Sequence, residues 1–158
     1  MPSELRQPPP NVPTPRTGRK NGGTFTALAE RWEGKRFNSP NDLVFHSNGD
    51  LYFTDPPYGL PDNAQQDIPF QGVYKLSNGT VTLLVDSLTR PNGIAFAPGE
   101  KRLIIANSDQ KKAVWYSYEL TENDSLVNGK ILYDATGALA TESGLPDGLK
   151  IDKKGNLF

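Results

Sequence analysis

Three copies of a short proline motif carry residue types that could bind a metal ion. The copies are Pro40-Asn41-Asp42, Pro91-Asn92-Gly93 and Pro146-Asp147-Gly148, and each precedes an apolar run. The residues after proline would offer two amide oxygens and one carboxylate, which are hard ligands suited to Ca²⁺ or Mg²⁺ rather than to soft metals. The competing interpretation is a set of ordinary turns, because Pro-Asn and Asp-Gly often cap their own backbone.

The spacing of these motifs predicts an architecture in which they meet. Asn41 and Asn92 are 51 residues apart, and Asn92 and Asp147 are 55 residues apart. One four-stranded sheet fits into each period, which is typical of a β-propeller with blades around a central channel. Equivalent positions of successive blades point toward one axis. We therefore predict that Asn41, Asn92 and Asp147 converge at the inner ends of about three four-stranded blades.

Short apolar runs separated by turn signals support an all-β fold. No segment shows a convincing helical period. Strands are predicted at 24–28, 43–45, 51–54, 72–76, 81–85, 94–96, 103–106, 113–120 and 130–133. Turns are predicted at Asn48-Gly49, Asn78-Gly79, Pro98-Gly99, Asn128-Gly129 and Lys154-Gly155-Asn156. The segment 58–70 interrupts this pattern, and we expect a long loop of the kind that often carries function or forms a lid.

Composition narrows the class of protein. The chain has 158 residues, 35% hydrophobic and 22% charged, as expected for one soluble domain or part of a larger one. A formal charge of -1 provides no broad basic surface, so nucleic acid is not an expected partner. No run is long enough to cross a bilayer and no signal peptide is visible, so no membrane partner is expected. The absence of cysteine excludes a thiol nucleophile but leaves the compartment, cytoplasmic or periplasmic, open.

The first residues differ in composition from the rest of the chain. Five prolines lie within residues 1–13, with few apolar side chains between them. Such a segment cannot offset the entropy of ordering and favours an extended, polyproline-like chain. We therefore predict a disordered tail over 1–13 and a partial β-propeller over 14–158.

Longer motifs resemble those of a known family. The segments 36–44 (RFNSPNDLV), 51–60 (LYFTDPPYGL), 90–96 (RPNGIAF) and 145–152 (LPDGLKID) are similar to the gluconolactonase branch of the SMP-30/gluconolactonase/LRE-like family. The resemblance extends from about Arg16 to the last residue. It implies a six-bladed propeller that opens sugar lactones with a divalent cation, usually Ca²⁺, with Mg²⁺ and Zn²⁺ as alternatives.

The resemblance also implies roles for single residues. Asn92 and Asp147 match the positions that bind the metal, and Asn41 matches the side of the pocket that faces substrate and metal. We predict that Tyr58 contacts substrate through its hydroxyl, with aromatic packing under the loop as the alternative. The family's remaining metal ligand, a glutamate upstream of these motifs, is not assigned in this sequence.

The predicted chemistry is hydrolysis of a lactone by water. A cation held by neutral Asn92 and anionic Asp147 would polarise the lactone carbonyl and stabilise the oxyanion that forms. Asp147 could also deprotonate the attacking water, and Asp42 is an alternative base. Because the sequence stops within a predicted hairpin, we expect a fragment of a longer propeller, inactive on its own. A non-catalytic propeller module that binds a sugar or a protein is the alternative function.

Other polar residues receive structural interpretations. His46, the one histidine of the sequence, is interpreted as a surface turn residue rather than a general base. Ser39 lacks a Gly-x-Ser-x-Gly elbow, which disfavours serine hydrolysis. Turn capping is preferred over pocket lining for Asn107 and its neighbours.

The predicted tail provides the first test. Deleting residues 1–13 should barely change the free energy of unfolding, because no apolar face would be lost. Urea denaturation of the shortened and full chains measures the difference. Hydrogen-exchange protection of the tail amides at the level of the strands would contradict the prediction.

Overall fold

The computed structural model describes residues 27–158, and this part of the chain is built from short β-strands. The strands are β1 (Arg31–Trp32), β2 (Lys35–Arg36), β3 (Leu43–Phe45), β4 (Leu51–Asp55), β5 (Gly72–Ser77), β6 (Thr80–Val85), β7 (Pro91–Phe96), β8 (Arg102–Asp109), β9 (Lys112–Leu120) and β10 (Leu126–Asp134). A 3-10 helix spans Thr136–Ala140. The predicted tail over 1–13 and most of the predicted strand 24–28 lie outside the described residues.

The strands form successive antiparallel sheets. Strands β3 to β6 form a four-stranded sheet in the order β3-β4-β5-β6, called sheet A, and strands β7 to β10 form a second one in the order β10-β9-β8-β7, called sheet B. An isolated bridge between Ile151 and Leu157 begins a third unit. Strand β7 contacts both β3 and β4, as inner strands of neighbouring propeller blades do. Of the predicted blades, two are therefore complete among residues 27–158.

Most strand predictions are confirmed. Every strand predicted from residue 43 onward lies within an observed strand. Ala27 and Leu28, the described end of the predicted strand 24–28, are not in a strand. The short hairpin of β1 and β2 was not predicted, because two-residue strands have no period to detect.

Strands β7 and β8 of sheet B are buried on both faces, which explains their nearly continuous apolar sequences, whereas the outer strand β10 is exposed. Alternate side chains of a strand point to opposite faces. One set packs with residues of sheet A in a cluster that includes Tyr52, Val73, Ile94, Leu103 and Ile105. The other set packs with the third unit in a cluster of Ala95, Ile104, Ala106 and Leu149. Burying each larger side chain contributes about 1.5–3 kcal/mol, so both interfaces are held mainly by apolar contact.

One predicted turn is wrong. Asn128-Gly129 lies inside β10, where the pairing with β9 shifts between Val127 and Lys130. Asn128 has a φ of 52° and its amide donates a hydrogen bond of 2.7 Å to Glu119. Asn-Gly suits any position that needs left-handed backbone, and a β-bulge is such a position as well as a turn. The reversal lies earlier, where the Asp124 N–H donates to the Thr121 carbonyl at 2.9 Å.

The predicted long loop connects β4 to β5 and is anchored at its far end. Ile68 is fully buried. Asp67 accepts two hydrogen bonds from the Arg36 side chain, at 3.0 and 3.1 Å. No helix among residues 27–158 has the length and apolar character needed to span a membrane.

A glycine sets the contact between sheet B and the third unit. A Cβ atom on Gly93 would lie 2.3 Å from the Asp147 carbonyl oxygen and 2.8 Å from the Leu149 nitrogen. Both atoms belong to backbone and cannot rotate away. Gly148, at the equivalent position of the third motif, has nothing within 4 Å of such an atom.

These two glycines form a matched pair for a test. Gly93→Ala should lower the free energy of unfolding by about 1–3 kcal/mol, because the added methyl forces the backbones apart. Gly148→Ala should change it far less. Urea unfolding of both variants measures this. Equal effects of the two substitutions would contradict the predicted close approach.

Candidate functional site

The first two proline motifs meet through their asparagine side chains. The Asn41 amide nitrogen donates a hydrogen bond of 2.6 Å to the Asn92 amide oxygen, across 51 residues of sequence. Asn41 is exposed in the loop before β3, whereas Asn92 lies in β7 with 6% of its surface exposed. The repeat therefore predicted a real contact.

Further hydrogen bonds join the same two motifs. Asp42 accepts from the Ile94 N–H at 3.1 Å through one oxygen and from the Leu43 N–H at 2.9 Å through the other. The Thr54 hydroxyl donates to the Asn92 carbonyl at 2.8 Å. Since both oxygens of Asp42 are engaged by backbone, this contact favours a structural role over the alternative role of general base.

The third motif lies beside the second. The backbone of Asp147 packs against Gly93, the neighbour of Asn92 in the chain. The Asp147 residue is exposed, and within residues 27–158 its carboxylate accepts no hydrogen bond. The three motifs thus follow one another in space, the first touching the second through side chains and the second touching the third through backbone.

The donor set of these motifs is compatible with a hard cation. An amide oxygen has two lone pairs, so Asn92 keeps acceptor capacity beside its bond from Asn41. The described part of the chain contains no group of three or more His, Asp or Glu residues that could hold a metal. A cation bound here would therefore use the oxygens of Asn41 or Asn92 in addition to the Asp147 carboxylate.

A buried carboxylate holds the loop that carries Asn41. Asp55 is fully buried at the end of β4 and accepts from the Asn38 N–H at 2.8 Å and the Ser39 N–H at 2.7 Å. Burial raises the pKa of Asp55 to about 6, while the two N–H donors act in the opposite direction. The sequence motif contains Asp55, but the pattern of strands and turns alone did not indicate this role.

An amide occupies the equivalent place in sheet B. Asn107 is fully buried in β8 and accepts from the Arg90 N–H at 2.8 Å. Its amide nitrogen donates to the Lys112 carbonyl at 2.8 Å and to the Thr89 hydroxyl at 3.0 Å. Asn107 thus bonds the backbone of the loop before β7 and of the start of β9, and its neighbour Asp109 accepts from the Lys111 N–H at 2.9 Å in the β8–β9 turn, which agrees with capping rather than pocket lining. The signal that could have revealed the role of Asn107 is its separation of 52 residues from Asp55, close to the repeat length.

Tyr58 lies at the rim of the two motif loops. It is 41% exposed, and the Arg90 guanidinium lies 5.9 Å from its ring centre. The next residue, Gly59, donates its N–H to the Ser39 hydroxyl at 3.0 Å. Arg90 and Ser39 directly precede Pro91 and Pro40. Tyr58 therefore lies near both motif loops in space, and its contact with substrate stays a prediction.

His46 lies in the predicted turn at the other end of β3, but its side chain is only 19% exposed and is not the surface group that was expected. Its ring meets Phe96 edge to face at 5.1 Å, and its Nε2 lies 3.6 Å from a Glu100 carboxylate oxygen. The Ser47 hydroxyl donates to the same carboxylate. This cluster connects the β3–β4 turn of sheet A to the β7–β8 turn of sheet B.

Comparisons with known proteins agree with this arrangement of motifs. A family model described as the SMP-30/gluconolactonase/LRE-like region matches residues 15–158. The chain belongs to the SMP-30/gluconolactonase/LRE-like family. Within it, a gluconolactonase of Zymomonas mobilis subsp. mobilis is 41% identical over 139 residues, which cover 84% of this chain and 39% of that protein. Lactonohydrolase oryL of Aspergillus oryzae is 27% identical over 161 residues, covering 85% and 36%.

A solved structure supports the same SMP-30/gluconolactonase-like assignment. The gluconolactonase XC5397 of Xanthomonas campestris matches with a TM-score of 0.71 and 31% identity, covering 82% of this chain and 43% of that chain. The likeness confirms the all-β propeller prediction. The chain spans less than half the length of each of these three relatives.

Asp55 gives this SMP-30/gluconolactonase-like chain a pH-dependent stability. The carboxyl titrates near 3.8 when unfolded and, because burial raises its pKa, at about 6 when folded. Between these values the folded state keeps a proton that the unfolded state has lost, so its contribution to stability falls as pH rises from about 4 to about 6. The difference between the folded and unfolded pKa values of Asp55 corresponds to a change of about 3 kcal/mol at most in the free energy of unfolding.

The matched reference for this prediction is Asp55→Asn, which lacks the titrating group. Urea unfolding at several pH values gives the free energy of both proteins. The difference, wild type minus variant, should decrease from pH 4 to pH 6 and then level off. A difference that rises over this interval would contradict the prediction.

Proposed function

We propose that the natural protein containing this sequence is a metal-dependent hydrolase that opens sugar lactones, with Ca²⁺ as the preferred cation. The observation that carries the proposal is the hydrogen bond between the Asn41 and Asn92 side chains, with the Asp147 backbone packed against Gly93, since these contacts bring together three motifs that are far apart in sequence. The relatives named gluconolactonase and lactonohydrolase support the choice of a lactone as substrate.

Each residue receives a separate task in this proposal. Asn92 and Asp147 hold the cation, and when bound it polarises the lactone carbonyl and stabilises negative charge on its oxygen. Asn41 orients the substrate, and Tyr58 binds it from the rim of the two motif loops. Because the Asn41 amide nitrogen is a donor, it suits a sugar hydroxyl or ring oxygen.

Asp147 also takes the proton of the attacking water. The water oxygen bonds to the carbonyl carbon, the bond from that carbon to the ring oxygen breaks, and Asp147 returns its proton to the ring oxygen, which leaves as a hydroxyl. The product is a hydroxy acid with no other group transferred. An exposed carboxylate that accepts no hydrogen bond among residues 27–158 suits this task better than Asp42, whose oxygens both accept backbone hydrogen bonds.

Acid release from gluconolactone tests the proposal. In the natural protein, Asp147→Ala should lower kcat/KM at least about 100-fold, because it removes both a charged ligand and the base. Asn92→Ala should chiefly weaken metal affinity, so that excess calcium restores part of the rate. A pH-stat records turnover above spontaneous hydrolysis, with and without chelator.

Asp62→Ala is the matched control, since Asp62 is an exposed carboxylate of the long loop. It should retain full activity. Turnover that chelator does not reduce, or full activity of Asp147→Ala, would contradict the metal mechanism. Absence of turnover on every lactone tested would favour a non-catalytic binding module.

A further inference from the structure

We propose that Asp55 and Asn107 are a repeated pair of positioning residues, each fixing the loop that presents one asparagine of the candidate site. The inference deepens the proposed function, because it assigns supports to Asn41 and Asn92 in that role. Both supports lie in the second strand of their sheet, and neither touches the position that substrate would occupy in the proposal.

The two supports hold equivalent atoms. Asp55 accepts from the Ser39 N–H at 2.7 Å, and Asn107 accepts from the Arg90 N–H at 2.8 Å. Ser39 directly precedes Pro40, and Arg90 directly precedes Pro91. Because proline has no N–H and a fixed φ, this N–H is the last free donor before the asparagine residue. The hydrogen bond to this N–H therefore fixes the backbone direction of the proline and asparagine that follow.

Each loop is held at a second point as well. In sheet A, the Asn41 N–H donates to the Thr54 carbonyl at 2.9 Å. In sheet B, the Arg90 carbonyl accepts from the Ser108 N–H at 2.7 Å. Thr54 and Ser108 are neighbours of Asp55 and Asn107 in the chain. Two adjacent residues of one strand therefore hold each loop by its backbone, and the two asparagine side chains bond to each other.

The identity of each support follows from the groups that it faces. Asp55 faces two N–H donors, of Asn38 and Ser39, so a residue with acceptors alone satisfies both. Asn107 faces one N–H donor and the Lys112 carbonyl, so it needs both an acceptor and a donor. Exchanging the two types would place donor against donor at residue 55 and acceptor against acceptor at residue 107. Buried groups with unmatched partners move apart.

The reciprocal exchange tests the proposal. Asp55→Asn and Asn107→Asp are nearly isosteric, and Ile104→Val in the core of sheet B is the control for loss of stability alone. Side-chain amide NMR signals of Asn41 and Asn92 report their positions directly. Each exchange should shift both signals and weaken the contact between the two side chains. The control should leave these signals in place.

Calcium binding provides the second measurement, with Ca²⁺ alone as the probe. Each exchange should raise the Kd of the chain about tenfold or more, as loss of a residue that orients metal ligands does. The control should change the Kd less than twofold. If Asp55→Asn does not fold, Asp55→Glu keeps both oxygens one methylene further out and should shift the same amide signals.

The two measurements separate this proposal from the proposed function. Amide signals that stay unchanged in both exchanges overturn the positioning role, whatever the calcium result. Shifts equal to those of the control also overturn it, since a purely structural role predicts them. Shifted signals in a protein that binds no calcium support positioning and count against the metal mechanism.

Discussion

The apolar packing of sheet A on sheet B is the contact on which the candidate site depends. Eight fully or nearly buried side chains form the cluster that includes both sheets. At about 1.5–3 kcal/mol for a large apolar side chain, this contact outweighs the polar bonds between the motifs, each of which contributes about 0.5–1.5 kcal/mol. Packing therefore sets the distance between Asn41 and Asn92, and hydrogen bonds select their orientation.

The polar side chains around the three motifs fall into a buried set and an exposed set. Asp55 and Asn107 are fully buried and satisfied by backbone, whereas Asn41 and Asp147 are exposed. Burying a carboxylate is unfavourable unless hydrogen bonds compensate, and the raised pKa of Asp55 shows that its two donors compensate only in part. Apolar residues at positions 55 and 107 would be buried at a lower free-energy cost. The presence of polar residues there is better explained by the loops whose backbone they hold.

The strands could be predicted from the sequence because apolar periods and turns are local signals. The contact between Asn41 and Asn92 could be predicted because the motif repeats at a regular distance. Asn128-Gly129 misled because one dipeptide suits both a bulge and a turn, and only the pairing with β9 distinguishes them. The supporting roles of Asp55 and Asn107 were missed because their partners are backbone N–H groups of another loop, and the one sequence signal for them is their separation of 52 residues, close to the repeat length. The direction of a side chain such as Asp147 depends on its surroundings and not on the motif.

The cluster of His46, Ser47 and Glu100 has a mechanical consequence for the site at the opposite end of β3. Sheets A and B are tied at both ends of this strand, by Asn41 and Asn92 at one end and by the Glu100 carboxylate at the other. These two attachment points, together with the apolar packing between them, oppose rotation of one sheet away from the other. In the proposed function, the surface that the two sheets present to a ligand would therefore keep nearly the same shape before and after binding. Selectivity at this surface would therefore depend on the shape of the ligand, here a small rigid ring. It would not depend on how strongly a ligand pulls the two sheets together.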